Sequence, residues 1–333
     1  MDAGRALSGA APATAGSSEI REPFETFADR LAELVGRRES QLVLGLDPDP
    51  TRLWPRAARR AAGEADSAES ASPAVRAAAA VSRHCALVIE AAARECVAVK
   101  LQVACFERLG APGWAALHEV ADAARGAGLL VIADAKRGDI GITAGAYSQA
   151  FLGETPTPFG AVAGLGADAL TVNPLLGRDS LAPFVETAAD RGAGLFVLAR
   201  TSNPGAADVQ ELQLPDGDTV SDRLARLIAE LGAGRVGRSG LSDVGAVVGA
   251  TAPHRLVRMR ELMPRAVILL PGIGAQGGRV EDLAPVFAPG PAAGLISASR
   301  AVVDAHERDG GDPAQSAQRE AARLRELAWS VAR

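Results

Sequence analysis

One device recurs eight times between residues 41 and 300: a short run of Val, Leu, Ile and Ala closing on glycine or a polar residue, then a longer stretch with helical periodicity. The runs are QLVLGLD (41–47), CVAVK (96–100), LLVIADAK (129–136), ADALTVN (167–173), GLFVLARTS (194–202), VGAVVGAT (244–251), VILLPG (267–272) and GLISASR (294–300). Continuous apolar runs, unlike strict alternation, describe strands buried on both faces, and their alternation with helices describes a parallel sheet coated by helices. Eight such units in roughly 250 residues match a (β/α)8 barrel, the TIM-barrel class of α/β fold. The alternative is an open doubly wound sheet, which calls for a glycine-rich fingerprint directly after the first strand. The sequence there is LDPDPTRLWP, with prolines where that motif needs glycines.

The ends and inserts follow from composition. Residues 1–22 are small, polar and rich in Ala, Gly and Ser, too poor in large apolar groups to offset ordering entropy, so a disordered tail is expected. A single barrel domain is expected over residues 23–333. It begins with PFETFADRLAELVGRR, where Phe24, Phe27, Leu31 and Leu34 fall on one helical face. Residues 56–72 read as a solvated excursion, and 206–218 and 232–242 as loops flanking a helix near 219–231. A last helix is expected over 313–332, with Leu324, Leu327 and Trp329 packing inward.

Charge and cysteine usage narrow the function. A net charge of -5 gives no electrostatic footprint for nucleic acid or an anionic membrane, which leaves a small soluble ligand as the expected partner. Cys85, Cys96 and Cys105 are odd in number and lack a C-x-x-C pair, so reduced thiols and a cytoplasmic location are expected. His84, His118, His254 and His306 are scattered without ligand spacing, and no metal site is expected. The start has no apolar signal region, and no run reaches the ~18 uninterrupted apolar residues of a membrane span.

Barrels of this kind carry their active sites at the C-terminal ends of the strands. The residues closing the eight runs include Asp47, Lys100, Asp134 with Lys136, Asn173, Thr201 with Ser202, Thr251, the glycines from 272, and Arg300. All but two of the 35 basic residues are arginine, and the two lysines, Lys100 and Lys136, are both on that list. An ammonium is a compact charge that can give up its proton, whereas a guanidinium stays protonated, so proton transfer or Schiff-base chemistry would require lysine. Chance or a tight buried ion pair is the plain alternative. In D-x-K-x-x-D, Asp134 and Lys136 are two apart on a strand and so share a face, with Asp139 in the following turn. Carboxylates beside Lys136 keep it protonated, the state of a general acid and not of a Schiff-base nucleophile.

PGIGAQGG (271–278) after the seventh strand and Arg300 after the eighth match the place where barrels bind phosphate through backbone N–H groups and a cation. An ordinary glycine turn is the alternative. NPLLG (173–177) and SNPGA (202–206) could bond a planar polar ligand or be simple Asn-Pro turns.

In order, LGLDPDP, VAVKLQVACFE, VIADAKRGDIGITAGAY, ADALTVNPLLG, LARTSNPGA, LLPGIGAQGG and SASR resemble the orotidine 5'-phosphate decarboxylases, in the longer bacterial form carrying D-A-K-R-G-D-I, across about residues 23–305. The resemblance implies a lyase without cofactor or metal that converts orotidine 5'-monophosphate to UMP and carbon dioxide, the last step of pyrimidine synthesis. It implies that Lys136 protonates C6, that Asp134 lies beside the substrate carboxylate, and that Lys100 completes a Lys-Asp-Lys-Asp array. Asp139 and Thr143 would enter the site from the partner of a homodimer. Asp47 would hold ribose hydroxyls, Ser202 the pyrimidine, and Gln276 with Arg300 the phosphate, with Asn173 a further substrate contact. Ile142 departs from the pattern, standing where a smaller residue is expected. Two other readings stay open on the residues alone: a different phosphosugar barrel enzyme, using a Schiff base or a metal, and a non-catalytic nucleotide-binding protein.

Overall fold

The structure, a computed structural model, describes residues 25–58, 71–274 and 277–333. The tail, Phe24, most of the 56–72 insert and Gln276 lie outside the described residues. All eight runs form strands: β1 (Leu42–Leu46), β2 (Ala98–Gln102), β3 (Leu130–Arg137), β6 (Ala169–Val172), β7 (Gly194–Arg200), β8 (Ser242–Val248), β9 (Ala266–Leu270) and β10 (Gly294–Ala298). They are parallel and close into a barrel when β10 pairs with β1. A small antiparallel hairpin, β4 (Glu154–Thr155) with β5 (Val162–Ala163), interrupts the connection before β6 and was not foreseen. Its strands are only two residues each, too short to carry a periodicity, so the sequence gives no sign of it.

Strand periodicity sorts the apolar residues into two cores. Leu42, Leu44, Val99, Leu101, Val131 and Ala133 pack outward against the helices. Val43, Ala98, Ile132, Ala169, Phe196, Val267, Leu269 and Leu295 form a second cluster with the first helix, α1 (Phe27–Arg38). Helix α1 starts where Thr26 accepts a hydrogen bond from the Asp29 N–H, and it buries Phe27, Leu31, Leu34 and Val35. Phe27 meets Phe196 edge-to-face, 5.8 Å between centroids. Gly194 at the start of β7 makes room, since a Cβ there would lie 2.4 Å from the Phe27 ring. The helix therefore stoppers the barrel at the strands' N-terminal ends, and leaves the C-terminal ends open.

The segment from 204 to 242 follows expectation, with a 3₁₀ turn (Pro204–Asp208), a helix (Val220–Gly232) begun by a Thr219/Asp222 capping box, and loops on either side. The last helix, Pro313–Val331, buries Leu324, with Leu327 and Trp329 partly buried.

His84 is a satisfied core histidine, accepting from the Trp54 N–H at 3.1 Å, and burial pushes it down to about 4, so it is neutral at physiological pH. Arg260 is a buried cation without a carboxylate partner among the described residues; it donates instead to the carbonyls of Met263, Ala266, Val286 and Ala293 at 2.8–3.0 Å. Burial pushes it down to about 10, still charged at neutral pH. Arg260→Met roughly keeps the volume but removes four buried hydrogen bonds to carbonyls, so a loss of about 3 kcal/mol in stability is expected, read as a lower denaturant midpoint with an unchanged slope.

Candidate active site

The inward face of each strand changes character partway along. Ala98 is followed two residues later by Lys100 and then Gln102, Ile132 by Asp134, Ala169 by Thr171, and Leu295 by Ser297. Each pair keeps the period-two alternation of a strand, so the apolar floor and the polar layer above it belong to the same faces. With Asp47, Lys136, Thr201, Ser202, Gly272, Ile273, Ser299 and Arg300 these polar residues line a cavity of about 190 Å³.

Asp134 is the hub. It is nearly fully buried, and its Oδ2 accepts from Lys100 Nζ at 2.7 Å while its Oδ1 accepts from Lys136 Nζ at 2.5 Å and Thr171 Oγ1 at 2.9 Å. Gln102, with its amide nitrogen turned to the carboxylate, adds donors to Oδ2 and to the Asp134 carbonyl at 3.0 and 2.8 Å. Lys100 also faces Asp47 at 3.7 Å.

Burial opposes ionisation of Asp134, but the ammonium groups of Lys100 and Lys136 and their hydrogen bonds outweigh it and hold the carboxyl well below the usual carboxylate range. Burial likewise works against the charge on Lys100, and the carboxylates of Asp134 and Asp47 overcome it and hold the ammonium above its ordinary value. Lys100 and Asp134 therefore stay charged side by side throughout the neutral range. Lys136 is the exposed member, its side chain 41% accessible against 8% for Lys100.

Lys136 does not reach Asp134 by strand alternation, as the two-residue spacing suggests. Between Ala133 and Arg137 the register slips, with four residues of β3 set against two of β6. Lys136 occupies the left-handed region at φ 48°, and its N–H donates to Thr171 Oγ1 at 2.9 Å. Arg137, next in the chain, pins the outer side of the bulge. It ion-pairs with Glu107 and lies over the rings of Tyr147 and Phe151, 5.2 and 5.3 Å from their centroids.

The remaining expected residues divide. Asp47, Ser202 and Arg300 line the cavity. Arg300 begins a short helix after β10, is exposed, and forms no side-chain hydrogen bond or ion pair among the described residues. It neighbours Ile273 and Gly274 of the glycine loop, where Gly272, Gly274 and Gly277 have φ of 101°, 72° and 90°, values that exclude most side chains. The N–H groups of Gly274, Gly277 and Gly278 bond within the loop, to Gly278, Gly274 and Gly272 carbonyls, so they are not the free donors expected from the sequence.

Asn173 is not brought to the cavity. Its Oδ1 accepts from the Leu175 N–H at 3.0 Å, the simple Asn-Pro turn. Asp139 and Thr143 also stand outside the cavity of their own chain: Asp139 Oδ1 accepts from the adjacent Ile140 N–H, and Thr143 is exposed in the first turn of the helix Gly141–Phe151. Ile142 is 93% exposed there and crowds nothing in its own chain.

Gln102, Thr171, Ser297 and Ser299 line the cavity without having been singled out. The signal for three of them was present, since Gln102, Thr171 and Ser297 are polar residues at inward positions of otherwise apolar runs.

Comparison with known proteins adds a second line. The model of the family "Orotidine 5'-phosphate decarboxylase / HUMPS family" matches residues 40–318. An orotidine 5'-phosphate decarboxylase of Rhodopirellula baltica is 42% identical over 287 residues, covering 85% of this chain and 90% of that protein. One of Deinococcus radiodurans is 45% identical over 293 residues, covering 88% and 94%. Among solved structures, the OMP decarboxylase of Leishmania donovani superposes with a TM-score of 0.66 at 31% identity, over 91% of this chain and 99% of that one.

Proposed function

Because the chain belongs to the orotidine 5'-phosphate decarboxylase / HUMPS family, we propose that its cavity converts orotidine 5'-monophosphate to UMP and carbon dioxide, with Lys136 as the proton donor. The observation that carries this is the Asp134 carboxylate held between Lys100 and Lys136 on the cavity wall, with the exposed guanidinium of Arg300 at its rim.

The reaction breaks the bond between C6 and the carboxylate carbon. The electron pair stays on C6, in an orbital in the plane of the ring where resonance does not spread it. A fixed ammonium beside that carbon stabilises the developing charge without solvent reorganisation. The Lys136 Nζ–H then passes its proton to C6, and the amine recovers one from water, to which its side chain is open. Lys100 keeps Asp134 ionised and in place, and Asp134 orients Lys136 from the side where the substrate carboxylate would lie. Asp47 is suited to ribose hydroxyls, Ser202 to the pyrimidine edge, and Arg300 with Gln276 to the phosphate. Phosphate contacts remote from C6 supply binding energy that the chemical step can use.

The active unit is proposed to be a homodimer in which Asp139 and Thr143 serve the partner's cavity. Both residues stand outside their own cavity, and the segments that follow β3 and β6 expose Ile140, Ile142, Leu175 and Leu176, large apolar side chains of the kind a second copy covers.

Following orotidine 5'-monophosphate by ultraviolet absorbance tests the reaction. Turnover unaffected by a chelator, with no adduct trapped by borohydride, is expected. A purified protein that does not consume the substrate, or stops doing so when metal is removed, defeats the reading. For Arg300→Ala, a loss of one charge-assisted contact lowers kcat/KM about 10- to 100-fold, chiefly through KM. Trace turnover of the unphosphorylated nucleoside, orotidine, is expected to be equal in the variant and the parent; an equal loss on both substrates would remove the phosphate assignment.

A further inference from the structure

The Thr171 hydroxyl joins the backbone of one proposed catalytic residue to the side chain of another. Thr171 is in the middle of β6 and 1% exposed. It accepts from the Lys136 backbone N–H at 2.9 Å and sits 2.9 Å from Asp134 Oδ1. A hydroxyl has a single proton, and an ionised carboxylate can only accept, so that proton belongs to Asp134. Lys136 Nζ donates to the same Oδ1. The result is a closed ring, running from Lys136 N–H to Thr171 Oγ1, on to Asp134 Oδ1, and back through Lys136 Nζ.

Lys136 needs such a restraint. A non-glycine residue in the left-handed region is held there by its surroundings, and Glu39, which ends α1, is the other case among the described residues. Arg137 secures the outer side of the bulge through Glu107, Tyr147 and Phe151, but it does not touch the lysine's own amide. On the inner side that amide bonds to Thr171.

We propose that Thr171 is a positioning residue: its hydroxyl holds Lys136 in the left-handed conformation and ties that conformation to the orientation of Asp134, so that the ammonium is aimed before substrate arrives. This rests on the decarboxylase reading above. It assigns Thr171 no contact with the reacting atoms, only control of where Nζ stands, and a displacement of about 1 Å in such a group is enough to slow a reaction about 100-fold.

The test compares Thr171→Val, which keeps the shape and removes both hydrogen bonds, with Thr171→Ser, which keeps them. The valine variant is expected to lose kcat about 10- to 100-fold, with KM and the Kd for UMP within about threefold and the serine variant restored to within about threefold of the parent. A crystal structure of the valine variant is expected to show Lys136 out of the left-handed region. If the valine variant does not fold, Thr171→Ala makes the same comparison. Parent-like kcat in the variant lacking the hydroxyl, or equal impairment of the serine variant, or Lys136 retained at positive φ with Nζ still on Asp134, overturns the proposal. An inactive parent protein would instead remove the decarboxylase reading, and the crystal structure would still decide whether Thr171 sets the conformation of Lys136.

Discussion

Lys136→Ala is expected to lower turnover of orotidine 5'-monophosphate by at least about four orders of magnitude, since it removes both a general acid, worth ~10²- to 10⁴-fold, and the charge facing the developing carbanion, worth ~10²- to 10³-fold. Binding of UMP is expected to stay within a few-fold, because the phosphate and ribose contacts assigned to other residues remain. Lys136→Arg separates the two contributions. It restores a cation but not a group that releases a proton readily, so it should recover little of the loss even though arginine is the basic residue used almost everywhere else in this chain. Either variant within tenfold of the parent would end the assignment. The fold should survive both changes, as Lys100 remains 2.7 Å from Asp134.

The same charges set a pH expectation. The carboxyl of Asp134 is depressed in the folded protein, so its contribution to stability is present above the ordinary carboxylate range and is lost only as pH falls through the lower folded value. Ionisation of Asp134 therefore produces no acid limb near neutrality. A limb in kcat between about pH 5 and 8 that vanished in Asp134→Asn, measured on residual activity, would contradict the arrangement of charges around it.

The barrel was legible because eight buried parallel strands leave eight continuous apolar runs, a signal that depends on composition and order alone. The hairpin of Glu154–Ala163 was not, because four strand residues carry no periodicity. In the cavity, the residues that close the runs account for Asp47, Lys100, Asp134, Lys136, Thr201, Ser202 and Arg300. Reading those positions overlooked Gln102, two residues past the close of its run and level with Asp134, and Thr171 and Ser297, which precede the close of theirs, all where two-residue alternation turns a polar side chain into the barrel. Asn173 is the opposite case: a polar residue at a strand end that does not line the cavity and whose side-chain oxygen accepts within its own turn. The bulge at Lys136 could not have been read at all. D-A-K looks like plain strand, and the left-handed lysine depends on Thr171 from β6 and on Arg137 packed against Tyr147 and Phe151, contacts that arise only on folding.

The largest gain of activity is expected from mixing two inactive proteins. If the partner's Asp139 completes each cavity, then Lys136→Ala and Asp139→Ala each disable both sites of a homodimer. In a mixed dimer, the chain that keeps Lys136 receives Asp139 from the other, which retains it. One site is then whole and the second lacks both residues. Random reassortment makes half of the dimers mixed, with one whole site in each, so about a quarter of the parental activity should return after unfolding the two variants together and refolding them. An Asp139 that served its own cavity gives a different outcome, since each site of the mixed dimer would then lack one residue and nothing would return. The exposed Ile142 and Leu175, 93% and 78% accessible in the single chain, supply a check that does not depend on chemistry. Ile142→Asp with Leu175→Asp places charge where the second copy would pack, and should shift the protein from dimer to monomer in sedimentation. Such a monomer retains Lys136, Asp134 and Lys100 in place but lacks the partner's Asp139, so its activity should fall with the dimer fraction. A monomer as active as the parent would show that one chain builds the whole site.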